Sequence, residues 1–180
     1  MDEQLFVALD IGAEARESLT KVQHLLAASA KEDDVVSRLE NPMDFHITLR
    51  YIGTKFTREE AIQRLRQIAF CPFQLETSGL GMFLAPDLPV IWSGAQGDIS
   101  ALRTLQSQVD TVLGCTDVRG FTPHITLAYL TYPFGGFETQ VQNPAAPIPV
   151  KRFGLYRILE QGAPQKFEQI AAFPLNGTEQ

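Results

Sequence analysis

Two stretches of the chain, residues 45–52 and 121–130, alternate polar and apolar side chains in nearly the same way. Each contains the tetrapeptide His-Ile-Thr-Leu, which begins at His46 in the first stretch and at His124 in the second. Alternate side chains of a β-strand point to the same face of a sheet. We therefore expect each histidine to share a polar face with the threonine two residues later, while the isoleucine and leucine point into the core.

Helical periodicity predicts three helices, over residues 13–30, 57–70 and 98–113. The apolar stripe of the first helix consists of Ala15, Leu19, Val22, Leu26 and Ser29. Gln23 and His24 fall outside that stripe, and we expect His24 to be a solvated surface residue.

The second and third predicted helices carry recognisable end signals. Thr57 and Glu60 fit a capping box, Asp98 can cap the third helix, and Gly114 stands where a helix end commonly needs positive φ. The positions expected to face the core are Ala61, Leu65, Ile68 and Ala69 in the second helix and Leu102, Leu105, Val109 and Val112 in the third.

The remaining pattern predicts strands over residues 5–10, 73–83 and 89–95, with a turn at residues 85–87, and a closing hairpin of residues 150–159 and 167–173. Residues 31–42 and 131–149 are expected to be loops, the first with a short strand. A helix followed by a His-Ile-Thr-Leu strand occurs in each half. This order indicates one domain, residues 1–180, made of two similar lobes.

The composition is typical of a globular protein and disfavours secreted, disulfide-rich and membrane-spanning classes. Of the 180 residues, 44% are hydrophobic and 20% are charged, which suffices for a packed core. The N-terminus lacks the features of a signal peptide, and no apolar segment reaches the roughly 18 residues of a membrane span. The two cysteines, Cys71 and Cys115, are too few for a disulfide framework. We expect a cytoplasmic protein without membrane contact, and we take it to be a monomer.

The net charge of −6 argues against a protein that grips long nucleic acid along its phosphates. If RNA is the substrate, we expect contact with a short stretch or an end through a local basic patch.

The repeated motif points to acid–base chemistry at a phosphate. Imidazole titrates near neutral pH, so one histidine can be protonated while the other is neutral, which supplies a general acid and a general base. The hydroxyls of Thr48 and Thr126 can donate hydrogen bonds to the non-bridging oxygens of a phosphate between them. A zinc site is disfavoured, because threonine is a poor ligand and Asp44 is the only carboxylate beside either motif. We therefore expect no metal and no cofactor.

These residues resemble the 2H phosphoesterase superfamily, which is defined by two His-x-Thr/Ser-x motifs. The resemblance is closer to one branch, the RNA 2′,3′-cyclic phosphodiesterases, historically called 2′-5′ RNA ligases. It extends over nearly the whole chain, through residues 5–10, 46–53, 79–83, 90–92, 119–128, 153–156 and 173–175.

The resemblance implies a bilobal α+β fold, in which two antiparallel sheets related by a pseudo-two-fold line a central cleft with helices outside. It also implies metal-independent hydrolysis of a 2′,3′-cyclic phosphate at an RNA end or nucleotide to a 2′-phosphate, with 2′-5′ RNA ligase activity as a second possibility. His46 would be the proton donor and His124 the proton acceptor, with Thr48 and Thr126 holding the phosphate.

The chain departs from this family at Tyr129, where an arginine often binds the phosphate. Tyrosine brings no positive charge, so Arg50 or Arg119 would replace the arginine, or else the substrate or the rate differs. Phe45, Phe121 and Tyr129 are candidates for stacking on a base, with core packing as the alternative for Phe121.

Two other functions remain open from the sequence. The chain can be a protein that binds RNA ends or nucleotides with little turnover, which would suit the missing arginine and the acidic balance. It can also be a cyclic phosphodiesterase with another substrate, such as a different cyclic phosphate or a 2′-5′ linkage.

Overall fold

The fold is given by a computed structural model, which describes residues 3–29, 36–84, 89–115, 120–131, 141–159 and 165–177. The predicted turn at residues 85–87 and much of the predicted loop at 131–149 lie outside these ranges. The elements in chain order are β1 Leu5–Asp10, α1 Gly12–Ser29, β2 Val36–Leu39, a 3-10 turn Pro42–Asp44, β3 His46–Gly53, α2 Arg58–Leu65, β4 Phe73–Phe83, β5 Val90–Gly97, α3 Ile99–Leu113, β6 His124–Leu130, β7 Pro147–Val150, β8 Arg152–Ile158 and β9 Phe167–Pro174.

The strands form two antiparallel sheets. The four-stranded sheet has the order β3-β1-β8-β9, and the five-stranded sheet has the order β2-β6-β5-β4-β7. One motif strand therefore belongs to each sheet, and β3 contacts β6 where the two sheets meet. The predicted α+β class with two antiparallel sheets is confirmed. Among the described helices, none is long and apolar enough to cross a bilayer.

The two halves repeat one structural unit, a strand, a helix and a motif strand that pairs antiparallel with the first strand. In the first half, Asp10 lies opposite His46. In the second half, Gly94 lies opposite His124. The two histidines thus occupy equivalent places. The structure therefore aligns the two halves, which the sequence alone does not allow.

Helix α1 lies where it was predicted, but its buried face differs from the predicted one. Gln23, expected off the apolar stripe, is 1% exposed, while Ser29 is exposed. The Gln23 side chain donates hydrogen bonds to the carbonyls of Glu40 at 2.7 Å and Leu127 at 2.6 Å. A buried amide is tolerated here because it satisfies two backbone acceptors.

Helix α2 has the predicted capping box between Thr57 and Glu60, but it ends at Leu65 instead of continuing to residue 70. Beyond Leu65 the N–H groups of Gln67 and Ile68 bond carbonyls three residues back, which tightens the chain into turns. The prediction that Ala69 faces the core from a helix is therefore wrong, and this residue is exposed.

Helix α3 ends as predicted, with Gly114 in the left-handed region at φ 56°. Its predicted cap is wrong, because the Asp98 carboxylate accepts the N–H of Gln74 at 3.0 Å and makes no cap bond to the helix. Leu113 is buried on the inner face, where Val112 was expected and is only partly buried.

The end of the predicted loop at 131–149 is a strand. Pro147–Val150 forms β7, which pairs with β4 at the edge of the five-stranded sheet. Proline is acceptable on an edge strand because its missing N–H removes no bond from the sheet interior. The buried Ile148 and Val150 point inward between the exposed prolines.

Candidate active site

The motif strands present their polar face to a cleft between the sheets. Ile47, Leu49, Ile125 and Leu127 are each at most 3% exposed. The histidine and threonine of each copy are partly exposed on the other face. Thr48 and His124 border one cavity of about 800 Å³, so both copies reach the same space. Within each tetrapeptide, the histidine and threonine therefore face the cleft and the isoleucine and leucine face the core, as the sequence predicted.

A β-bulge interrupts each motif strand at the same residue. In β3, Ala8 lies opposite Thr48 and Val7 opposite Arg50, so Leu49 is the extra residue. In β6, Trp92 lies opposite Thr126 and Ile91 opposite Ala128, which makes Leu127 the extra residue. A bulge shifts the alternation by one position.

The bulges decide which face the following residues occupy. Tyr129 pairs with Val90, two residues from Trp92, so it shares the face of His124 and Thr126. Simple alternation would have placed Tyr129 on the opposite face. Arg50 is moved the other way, to the face of Ile47, by the bulge at Leu49.

Both imidazoles are oriented by the backbone in the same manner. The Nδ1 atom of His46 lies 2.6 Å from the carbonyl oxygen of Asp44, and that of His124 lies 2.8 Å from the carbonyl oxygen of Thr122. A carbonyl only accepts, so Nδ1 carries a proton in each ring, and Nε2 is left as the exchanging nitrogen. The Nε2 atom of His46 lies 3.0 Å from the hydroxyl of Thr48.

The surroundings shift both histidines in the same direction. Burial lowers the pKa of His46, and the hydrogen bond to Asp44 and the negative charge of Glu40 oppose that effect. Burial also lowers the pKa of His124, opposed by the hydrogen bond to Thr122. The charge of His124 further lowers the pKa of His46, so the two rings are close enough for one protonation to disfavour the other.

Aromatic side chains enclose each histidine. The ring centroids of Phe6 and Phe167 lie 5.2 and 5.1 Å from that of His46. Phe83 and Trp92 stand at 4.8 and 6.2 Å from His124. A second cavity of about 260 Å³ borders the His46 side. These apolar walls shield part of each ring from water, which explains the lowered pKa values.

Tyr129 lies within a group of charged residues. Its hydroxyl donates to a carboxylate oxygen of Glu40 at 2.5 Å and accepts from Nζ of Lys166 at 3.1 Å. The guanidinium of Arg38 stacks over the tyrosine ring, 4.1 Å from its centroid. Burial and the bond to Glu40 raise the pKa of Tyr129, so the phenol stays neutral. Positive charge therefore stands beside Tyr129, although residue 129 itself carries none.

The other predicted substrate-binding residues are placed differently. Arg50 borders the larger cavity, but its guanidinium binds the carboxylate of Asp110 through two hydrogen bonds of 2.5 Å. Phe45 is 2% exposed and packs in the core. Phe121 is partly buried against the core and borders the larger cavity. Arg119 lies outside the described residues.

No local pattern in the sequence marks Glu40, Lys166 or Trp92 as neighbours of the histidines. Glu40 and Lys166 are 126 residues apart and bond at 2.6 Å. Glu40 follows β2 and Lys166 precedes β9, so only the packing of one sheet against the other brings them together. Among the residues that the structure describes, no three His, Cys, Asp or Glu side chains are grouped so as to hold a metal ion.

Two sheets that each present a His-x-Thr strand to one cleft define a two-histidine phosphoesterase fold. A family model described as the 2′-5′ RNA ligase superfamily matches residues 13–162 of the chain. The chain belongs to this superfamily, which confirms the resemblance drawn from the repeated tetrapeptide.

Two similar proteins are named RNA 2′,3′-cyclic phosphodiesterase. The chain is 32% identical over 133 residues to one from Archaeoglobus fulgidus, a match that covers 69% of this chain and 70% of that protein. It is 39% identical over 92 residues to one from Aeropyrum pernix, which covers 47% of this chain and about half, 52%, of that protein.

A solved structure confirms the fold. E. coli LigT complexed with 3′-AMP superimposes with a TM-score of 0.75, covering 97% of this chain and 98% of that chain, at 21% identity. At this identity the likeness concerns the fold alone.

Proposed function

We propose that the protein is an RNA 2′,3′-cyclic 3′-phosphodiesterase, which hydrolyses the cyclic phosphate of an RNA end or nucleotide to a 2′-phosphate without a metal ion. The observation that carries this proposal is the matched pair of imidazoles, each with Nδ1 bonded to the carbonyl of the residue two positions earlier. The names of the two relatives support the substrate class.

The reaction needs one proton removed and one delivered. Neutral His124 accepts a proton at Nε2 from the attacking water, whose oxygen forms the new bond to phosphorus. Protonated His46 gives its Nε2 proton to the 3′ oxygen as the P–O3′ bond breaks, which leaves a 2′-phosphate. Each proton transfer typically contributes about 10²–10⁴-fold in rate.

Thr48 and Thr126 hold the phosphate between the two rings. The hydroxyl of Thr48 is within hydrogen-bond distance of His46 Nε2, so it lies where a phosphate oxygen must approach the donor. Arg38 and Lys166, which flank Tyr129, add positive charge at that end of the cleft. We further propose that the enzyme acts as a monomer in the cytoplasm on RNA ends or cyclic nucleotides.

The test uses 2′,3′-cyclic AMP and an RNA oligonucleotide with a 2′,3′-cyclic phosphate end, both in excess EDTA. We expect turnover to a 2′-phosphate in the wild type and a loss of nearly all activity in His46→Ala and in His124→Ala. His24→Ala is the matched control, because this third histidine is exposed on α1. The same RNA with a 5′-hydroxyl partner tests for 2′-5′ joining.

Full activity in both single variants, or its abolition by EDTA, contradicts the proposal. Binding of the product without turnover on either substrate indicates a nucleotide-binding protein instead. Turnover to a 3′-phosphate, or on another cyclic phosphate only, indicates a related phosphodiesterase.

A further inference from the structure

Glu40 is a buried carboxylate with a full set of partners. It is 5% exposed, at the end of β2. Both of its carboxylate oxygens lie 2.6 Å from Nζ of Lys166, and one accepts the hydroxyl of Tyr129 at 2.5 Å. The main-chain N–H of Asn41 donates to it at 2.9 Å. These bonds fix the position of a negative charge beside the cleft.

The same network reaches His46 through Asp44. The backbone N–H of Lys166 donates to both carboxylate oxygens of Asp44, at 3.2 and 3.1 Å. The backbone carbonyl of Asp44 accepts Nδ1–H of His46 at 2.6 Å. Gln23 and Arg16 brace the connecting segment by donating to the carbonyls of Glu40 and Pro42. The segment is therefore held at both ends.

Among the residues that the structure describes, no such network surrounds the equivalent histidine, His124. Gly94 lies opposite His124 where Asp10 lies opposite His46. The walls of the His124 side are the rings of Phe83 and Trp92. Among the described residues, only the Thr122 carbonyl is found to favour protonation of His124. Within the described residues, the two halves thus share a backbone arrangement around the histidine and differ in the charged side chains beside it.

We propose that Glu40 is a positioning residue that favours the protonated form of His46 and thereby assigns the proton-donor role to His46 rather than to His124. This inference rests on the function proposed above and deepens it. Glu40 acts through space and through the fixed Asp44 carbonyl, and it does not touch the reacting atoms.

Other charged groups also face His46 and set the size of the effect. Asp10 of β1 lies opposite His46 and pairs with Arg16 of α1 at 2.5 Å, so this carboxylate is also held in an ion pair, as Glu40 is with Lys166. In the described part of the chain, the other titratable or charged groups around His46 are Asp44, Glu40, Lys166, His124, Tyr156 and Arg152, with Tyr129 in contact with Lys166. Removal of the Lys166 charge should shift the pKa of His46 in the direction opposite to that caused by removal of the Glu40 charge.

Two isosteric substitutions separate charge from structure. Glu40→Gln removes the negative charge and leaves Lys166 uncompensated, so the pKa of His46 should fall. Lys166→Met removes the positive charge and leaves the carboxylate held by Tyr129 and Asn41, so the pKa of His46 should rise. Tyr129→Phe removes the two hydrogen bonds of the hydroxyl, to Glu40 and from Lys166, without changing a charge, and a much smaller shift is expected.

The pKa values are measured by NMR titration of the imidazoles. The chain has three histidines, so exposed His24 serves as an internal reference and His124 as the comparison in each variant. Opposite shifts of His46 in Glu40→Gln and Lys166→Met support the proposal. Shifts of the same sign, or none, overturn it. The titration needs no substrate, so it fails independently of the proposed enzymatic function.

Kinetics supply the second measurement. In Glu40→Gln the alkaline limb of the kcat/KM profile should move to lower pH, because the donor loses its proton earlier. The deficit should therefore be severalfold above the pH optimum and should shrink below it. A loss of equal size at every pH would indicate a structural role only and would overturn the proposal.

Discussion

Thr48 and His46 are joined by a hydrogen bond of 3.0 Å between the threonine hydroxyl and Nε2, the nitrogen from which the proposed acid delivers its proton. The hydroxyl can accept a hydrogen bond from the protonated ring or donate one to the neutral ring. The bond can therefore persist in both protonation states of His46.

Removal of this hydroxyl should weaken catalysis with little effect on folding. Thr48→Val keeps the side-chain shape, and we expect kcat/KM to fall about 10–100-fold, since a hydrogen bond to a charged group contributes about 1.5–3 kcal/mol. Thr111→Val is the control, because that hydroxyl bonds only the Ser107 carbonyl on the exposed side of α3. Wild-type kcat/KM in Thr48→Val would exclude a role for the hydroxyl.

The pH optimum should lie on the acidic side of the ordinary histidine pKa. Activity falls with rising pH as His46 loses its proton, and it falls with decreasing pH as His124 gains one. Burial lowers both pKa values, so both limbs move to lower pH. The centre of the bell-shaped kcat/KM profile is therefore expected below about 6.5. A centre above 7, measured in buffers of constant ionic strength, would contradict this assignment.

Arg50 should matter more for stability than for substrate binding. Its side chain is 13% exposed and that of Asp110 is 19% exposed. Arg50→Met leaves the carboxylate with the Gln106 amide as its remaining side-chain partner, and we expect a loss of about 1–3 kcal/mol in the free energy of unfolding.

A double-mutant cycle checks this interpretation. In urea titrations, Arg50→Met with Asp110→Asn should recover part of the lost stability, because no unpaired charge remains. A large rise in KM for Arg50→Met at unchanged stability would instead identify Arg50 as a phosphate ligand.

Gly81 should be intolerant of a methyl group because of Trp92. A Cβ on Gly81 would lie 2.3 Å from the indole ring, which packs across this position. Gly81→Ala is therefore expected to displace the wall beside His124 and to lower kcat/KM. Trp92 is the only tryptophan, so its fluorescence should change as well. Gly79→Ala is the matched control, since nothing lies within 4 Å of its Cβ position. Equal effects of the two substitutions would contradict this packing.

Local sequence signals predicted those parts of the fold that depend on neighbouring residues. The alternation within each His-Ile-Thr-Leu tetrapeptide, the capping box at Thr57 and Glu60 and the positive φ of Gly114 are all present. Each depends on hydrogen bonds or packing within a few residues, so the chain itself specifies it.

Features that depend on partners distant in the chain could not be predicted from the sequence. The strand at Pro147–Val150 exists because β4 offers it an edge, and the buried Gln23 amide is satisfied because it donates to two distant carbonyls. Asp98 caps no helix because Gln74 takes its carboxylate. Local propensity does not depend on a partner that lies many residues away, so it cannot predict these contacts.

The sequence by itself determined the pair of histidines, their threonines and the chemistry that these residues can perform, because a two-residue strand period fixes which side chains share a face. Only the tertiary structure decided how the two copies differ. The bulges at Leu49 and Leu127 turned Tyr129 to the cleft and Arg50 to Asp110, and the packing of the two sheets set Glu40 and Lys166 beside His46. Charges from distant segments act on an imidazole through space, so the unequal environments of two identical tetrapeptides arise only on folding.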